Sequence, residues 1–254
     1  MASNCVHGLG DWYSEKGYVI ARQVFSKHAL AMLGQSFRSV LNKPEHGDFD
    51  QTCPLDDLII KREAQNHDIV YKAAQSLGSA ASTYQLLGSS EIFDLVSQAT
   101  GFRGHDFHLM PLYLIAQPPS DDRFDYCWHQ DGAYYSWCPD LITLWFPVNR
   151  GTNRDTGTIS MIPGSHQHGV RESDTFLKHG HFKQVQSRLS VGELETEESI
   201  EIDLGDCCIM HGHTVHKSVP NRSETPRVAG VLRIANLGNL SSYERERFYC
   251  VHSS

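Results

Sequence analysis

Two hydrophobic periods divide the chain. Apolar positions recur at helical spacing up to about residue 100, and from about residue 105 they alternate with polar ones. In the first part, Tyr18 to Arg22 reads as a short strand, and Leu30, Leu33, Phe37 and Leu41 follow it on one helical face. Ser26 precedes that helix, where a hydroxyl can accept from one of the N–H groups that the first turn leaves unpaired. Residues 42–66 are polar, carry Pro44, Gly47 and Pro54, and read as a loop or lid over a site. The stretches DIVYKAAQSLGSAASTYQLL and SSEIFDLVSQATG predict further helices up to Gly101, a residue suited to closing a helix.

The second part holds six short segments of strand character: HLMPLYLIAQ, YCWHQDGAYY, LITLWFPV, GTISMIPGS, SIEIDLGDCCIMHG and VAGVLRIAN. Gly/Pro turns separate them, among them Leu204-Gly205-Asp206, as in sandwiches and jelly rolls. The expected architecture is mainly β with packed helices: a double-stranded β-helix, cupin-like, with N-terminal helices on one sheet. It is expected to be one domain over residues 1–254. Residues 1–104 form its strand-plus-helical part and lid, 105–240 its jelly-roll core and 241–254 a tail.

Within this frame, Trp128-His129-Gln130-Asp131 places an imidazole and a carboxylate two positions apart. On a strand those side chains share a face and can meet one ion. A second histidine would complete two histidines and one carboxylate, a set that leaves open positions on a non-heme ferrous ion. Three histidines follow downstream: His211, His213 and His216. Behind His216 come Ser218, Asn221, Ser223 and Arg227, and Arg227 opens the alternation Val228 to Ile234. His211 and His213 remain alternative ligands, or groups that orient a substrate. A guanidinium on a strand facing the metal can clamp a carboxylate through two parallel hydrogen bonds, as a dicarboxylate such as 2-oxoglutarate requires. Arg233, with the same parity as Arg227, can face the same cavity and meet an acidic substrate group. Tyr134, Tyr135 and Trp137 follow the first motif and are expected at the pocket mouth, or in core packing.

WHQD, GTISMIPGSHQHG and HKSVPNRSETPR together resemble the phytanoyl-CoA dioxygenase family of Fe(II)/2-oxoglutarate oxygenases. WYSEKGYVIARQVFSKHALAML is similar to that family's opening. The resemblance implies His129, Asp131 and His216 as iron ligands, with Arg227 and Ser218 on the far carboxylate of 2-oxoglutarate. It implies Trp145 near the cosubstrate and a polar residue on the preceding strand, for which Tyr113 and Gln117 are the candidates. Dioxygen is then a cosubstrate and ascorbate the reductant used in vitro. Asp131 stands where halogenating relatives have a small residue, so hydroxylation or a related oxidation is expected.

Bulk properties bound the partners. The net charge of −8 argues against a nucleic-acid or anionic-membrane binder. No run of about eighteen apolar residues predicts a membrane span, and the N-terminus lacks a signal-peptide pattern. The acidic run Glu193 to Glu201 reads as a solvated loop. The seven scattered cysteines form no disulfide or zinc framework and suit reduced thiols in a cytoplasm. His108 and His105 read as rim histidines, and His166 and His168 as turn-capping ones. A small soluble metabolite is the expected partner, with the chain a monomer or homodimer. A non-redox metal-binding β-barrel and a metal-dependent hydrolase or isomerase are the alternative readings; neither requires Arg227.

Overall fold

The N-terminal layer follows the helical period closely. Its elements are α1 (Leu9–Lys16), β1 (Tyr18–Ala21), α2 (Lys27–Leu41), α3 (Leu55–Gln65), α4 (His67–Ser76), α5 (Ala81–Leu87) and α6 (Ser90–Thr100). The structure is a computed structural model that describes residues 8–43, 52–102, 107–123, 125–178, 182–236 and 238. Ser26 caps α2, its Oγ accepting from the Ala29 N–H at 3.1 Å, and Leu30, Leu33, Phe37 and Leu41 are buried. Gly101 closes α6 at φ 74°, a left-handed conformation that costs glycine little.

The expected lid is corrected in part. Residues 44–51 lie outside the described residues, but the second half of that segment is α3, which buries Leu58, Ile59 and Arg62. Its apolar stripe is narrow, and a buried arginine completes it. Arg62 donates from Nε to the Leu41 carbonyl and from Nη1 to Gln65 Oε1, both at 2.9 Å.

The β part contains β2 (Phe107–Leu109), β3 (Tyr113–Gln117), β4 (Ile142–Pro147), β5 (Ile159–Met161), β6 (Ser173–Lys178) and β7 (Phe182–Ser187). After the short helix α7 (Val191–Leu194) come β8 (Glu198–Ser199), β9 (Cys207–His211), β10 (His216–Ser218) and β11 (Arg227–Asn236). A six-stranded sheet runs β1-β9-β4-β11-β2, with β3 also on β11. A three-stranded sheet runs β10-β5-β8, and β6 pairs with β7. The two larger sheets are antiparallel and do not close into a barrel.

Strand parity sorts the large sheet into two faces. Ile142, Leu144 and Phe146 of β4, with Val228, Leu232 and Ile234 of β11, join the helices in one apolar core. Trp145, Cys208, Met210, Ala229 and Val231 pack from the other face against Ile159 and Met161 of the small sheet. Gly230 lies in β11 against Phe146, whose ring would stand 2.4 Å from any Cβ there.

Two expectations about local structure change, and one hairpin was not expected. YCWHQDGAYY is not a strand: His129 makes a single bridge to His216, and a 3-10 turn spans Asp131–Ala133. The acidic run is not wholly a solvated loop. Glu193 forms a capping box with Ser190 at α7, and Glu198 accepts from Lys16 Nζ at 2.9 Å and from the Tyr18 hydroxyl at 2.5 Å. The β6–β7 hairpin lies in a segment whose alternation is mostly polar and solvent-facing. His105, Cys5, Cys250 and the 241–254 tail lie outside the described residues. Among the described residues, no helix is long and apolar enough to cross a membrane.

Candidate metal centre

His129 and His216 exchange both backbone hydrogen bonds, N–H to carbonyl, at 2.9 Å each way. This pairing brings two distant segments together, and the ring centroids stand 4.2 Å apart. His129 Nδ1 lies 2.8 Å from the Cys127 carbonyl and His216 Nδ1 lies 3.0 Å from the Thr214 carbonyl. Both Nδ1 atoms are therefore the protonated donors, and each Nε2 presents its lone pair inward, the orientation a metal-binding histidine needs.

Asp131 arrives on the 3-10 turn, which the Gly132 N–H fastens to the Gly212 carbonyl at 2.8 Å. Its Oδ2 accepts from Thr143 Oγ1 at 2.6 Å and its Oδ1 from Arg233 Nη2 at 2.9 Å. His129 Nε2 is 3.9 Å from Asp131 Oδ1, too far for a hydrogen bond. Ligand atoms of His129, Asp131 and His216 all lie within 4.8 Å of one another, and the three residues are buried. Two inward lone pairs and a carboxylate around such a gap fit a divalent cation with N/O preference.

The electrostatics agree with the geometry. Burial, reinforced by the neighbouring His216, pushes the His129 imidazole down to about 3, so it is neutral and able to ligate. Burial alone would raise the Asp131 carboxyl, but the charge and hydrogen bond of the Arg233 guanidinium outweigh it and hold the group ionised. Arg233 is held in its charged form by Asp131 against its own burial.

A cavity of about 300 Å³ opens beside these ligands. Arg227, Ser218, Trp145, Met210 and Ile159 are among its lining residues. Arg227 is buried and directly opposite Gln117 in the β11–β3 register. Its Nη2 donates to Gln117 Oε1, and Gln117 Nε2 donates in turn to Asp125 Oδ1 at 2.7 Å. The Arg227 guanidinium lies 5.9 Å from the Trp145 ring centroid. Burial pushes the Arg227 guanidinium down only to about 10, so it remains a cation on the cavity wall. Ser218 Oγ accepts from the Tyr126 N–H at 3.0 Å.

Comparison with known proteins decides the class. Residues 13–229 match the phytanoyl-CoA dioxygenase family. The chain belongs to this family. Membership makes it an iron- and 2-oxoglutarate-dependent oxygenase and sets aside the hydrolase and non-redox barrel readings. The 1-deoxypentalenic acid 11-beta-hydroxylase of Streptomyces arenae is 27% identical over 227 residues, covering 86% of this chain and 76% of the relative. Phytanoyl-CoA dioxygenase 1 of Oryza sativa subsp. japonica is 29% identical over 113 residues, 42% of this chain and 37% of that protein. Among solved structures, EvdO2 from Micromonospora carbonacea var. aurantiaca, complexed with 2-oxoglutarate, has a TM-score of 0.64 at 17% identity. That match covers 95% of this chain and 97% of the other. The epimerase SnoN, in complex with Fe3+, alpha ketoglutarate and nogalamycin RO, has a TM-score of 0.63 at 17% identity, covering 90% and 82%.

The remaining expected site residues of this phytanoyl-CoA dioxygenase family member separate into two groups. Tyr113, Tyr134, Tyr135 and Arg233 line the cavity, and Gln117 adjoins it through Arg227. Trp137 and His211 do not line it. Trp137 packs against the small cluster of Met110, Cys138, Leu141 and Ala235. His211 ends β9 with the parity opposite to Met210, so its ring faces Tyr13, His166 and His213 at 6.2, 5.6 and 4.9 Å. His213 shares that group, which leaves His216 as the histidine beside His129. Tyr71, Gln75, Tyr126 and Lys183 on the cavity lining, and Thr143 on Asp131, were not anticipated at the site. Only Thr143 left a trace in the sequence: it is the polar residue among apolar neighbours in LITLWFPV, with the parity of Trp145.

Proposed function

We propose that this chain is a dioxygenase that oxidises a small soluble metabolite, most simply by hydroxylation, with succinate and CO2 as co-products. Specialised biosynthesis is the proposed setting. In this reading His129, Asp131 and His216 hold ferrous iron. The observation that carries it is the pairing of that buried trio with the buried cation of Arg227 at the end of one cavity. The bound ion supplies the oxidation of 2-oxoglutarate by dioxygen and the oxidising equivalent for substrate.

The chain's own residues then have distinct tasks. Arg227 clamps the far carboxylate of 2-oxoglutarate, Ser218 adds a hydrogen bond, and Gln117 fixes the guanidinium plane. Trp145 forms a flat wall beside it. Thr143 and Arg233 orient the Asp131 carboxylate. The tyrosines at the mouth exclude water once substrate enters. The hydroxylase named for the Streptomyces arenae relative supports hydroxylation over desaturation, cyclisation or demethylation. The enzyme is proposed to act in the cytoplasm as a monomer or homodimer, with reduced cysteines.

The test is aerobic succinate formation from 2-oxoglutarate with ferrous iron and ascorbate, across a panel of small metabolites. Substrate-stimulated succinate release that disappears in Asp131→Ala and His216→Ala is expected. Equal release by those variants would refute the ligand assignment.

A further inference from the structure

The outer part of the cavity is lined by side chains that the proposed metal and cosubstrate sites do not use. Tyr71 and Gln75 come from α4, Tyr113 from β3, Tyr134 and Tyr135 from the turn after Asp131, and Lys183 from β7. The hairpin is not loosely placed. Val185 N–H donates to the Tyr134 hydroxyl at 2.8 Å, and Ser187 N–H to the Trp128 carbonyl at 2.8 Å. Cys127 N–H donates to Gln184 Oε1 at 3.0 Å. These bonds fasten β7 along the segment that carries His129 and Asp131. Lys183 lies on this docked strand, exposed, and is among the residues that line the cavity.

The charges on the walls do not balance. Arg227, Arg233 and Lys183 are cations, and Asp131 is the carboxylate among the described lining residues. Asp131 already accepts from Arg233 at 2.9 Å. On the reading proposed above, a ferrous ion and a 2-oxoglutarate dianion cancel one another and Arg227 is engaged by the far carboxylate, so the walls keep an excess of positive charge. Lys183 then remains, and among the described residues no hydrogen-bond or ion-pair partner is found for it. A cation at the mouth of a cavity lined by tyrosine faces recruits an anion.

We infer that the substrate is a carboxylic acid on a compact apolar skeleton, and that Lys183 binds its carboxylate while the tyrosines hold the skeleton. Lys183 is thus a specificity-determining residue of the outer subsite. The inference rests on the proposed function for the place of 2-oxoglutarate, and its test separates the two. Ni(II)-loaded protein is titrated calorimetrically with 2-oxoglutarate. It is then titrated, with 2-oxoglutarate present, with cyclohexanecarboxylate and phenylacetate and with their primary amides. The acids are expected to bind roughly tenfold tighter than the amides. Lys183→Met should abolish that preference without weakening the amides, and Lys183→Arg should retain it. An acid preference that survives in Lys183→Met means the carboxylate sits on the metal, and it overturns the inference. Equal binding of acids and amides by the wild type, or no binding of either acid, overturns it too. Loss of metal-dependent 2-oxoglutarate binding in the first titration strikes the proposed function instead.

Discussion

Thr143 and Arg233 face one another across β4 and β11, and each holds a different oxygen of Asp131. The carboxylate is therefore fixed in plane and in rotation by one cross-strand pair before any ion arrives. Outer hydrogen-bond partners of this kind typically contribute about 10- to 100-fold in metal affinity. Thr143→Val and Arg233→Met are each expected to weaken Ni(II) binding within that range, read by calorimetry on the purified protein. Asp131→Ala should reduce binding further than either. Chelation of the metal should lower the melting temperature of the wild type and leave that of Asp131→Ala unmoved, because a ligand bound only by the folded state stabilises it.

Arg227 is expected to govern cosubstrate affinity. Removing one partner of a buried, hydrogen-bonded charge pair costs roughly 2–5 kcal/mol. Arg227→Met should therefore raise the KM for 2-oxoglutarate by about 30-fold or more. Arg227→Lys should rescue little of it, since an ammonium cannot make the paired contact. Gln117→Leu should have the same sign and a smaller size, because it frees the guanidinium to rotate without removing its charge. A KM unchanged in Arg227→Met would move the cosubstrate elsewhere in the cavity.

Gly230 gives a packing prediction far from the chemistry. An alanine Cβ there meets the Phe146 ring at 2.4 Å, in the centre of the large sheet. Gly230→Ala is expected to cost about 1–3 kcal/mol. Thermal unfolding should report a drop of about 2–4 °C for each kcal/mol in a chain of this size. Phe146→Leu, added to Gly230→Ala, should cost less than the two single changes summed, since the shorter side chain relieves the clash.

Ser26 offers a local counterpart. Ser26→Ala removes the acceptor for the Ala29 N–H at the start of α2 and should cost about 1 kcal/mol. Ser26→Asp should restore most of it. Equal melting temperatures for wild type and Ser26→Ala would mean that the cap is replaced by water.

Legibility in the sequence followed hydrophobic contrast. Leu30, Leu33, Phe37 and Leu41 stand out among polar neighbours, so α2 was visible, cap included. Arg227 and Arg233 were visible as a pair because they are the two charged residues of an otherwise mostly apolar strand and, six positions apart, fall on one parity. The helix α3 was hidden because part of its buried stripe is an arginine, a residue that patterning assigns to solvent. The β6–β7 hairpin was hidden because most of its side chains face water, leaving no period to detect. His129 and Asp131 lie together, though not along a strand as their spacing suggested. They converge through a bridge and a 3-10 turn rather than along a strand, and the hydrogen bonds from Thr143 and Arg233 complete the aim. Such non-local contacts have no signature in residue spacing.

A ten-residue ribbon with alternating faces has little tolerance for slippage. Sliding β11 by one position would swing both guanidiniums into the greasy layer beneath the helices and turn Leu232 and Ile234 toward the iron pocket. Insertions within this ribbon should be far more damaging than insertions in β6, which among the described residues forms a ladder with β7 alone. Changes of shape at this end of the molecule are thus most readily made in β6, while the ribbon and the docked β7 stay unaltered.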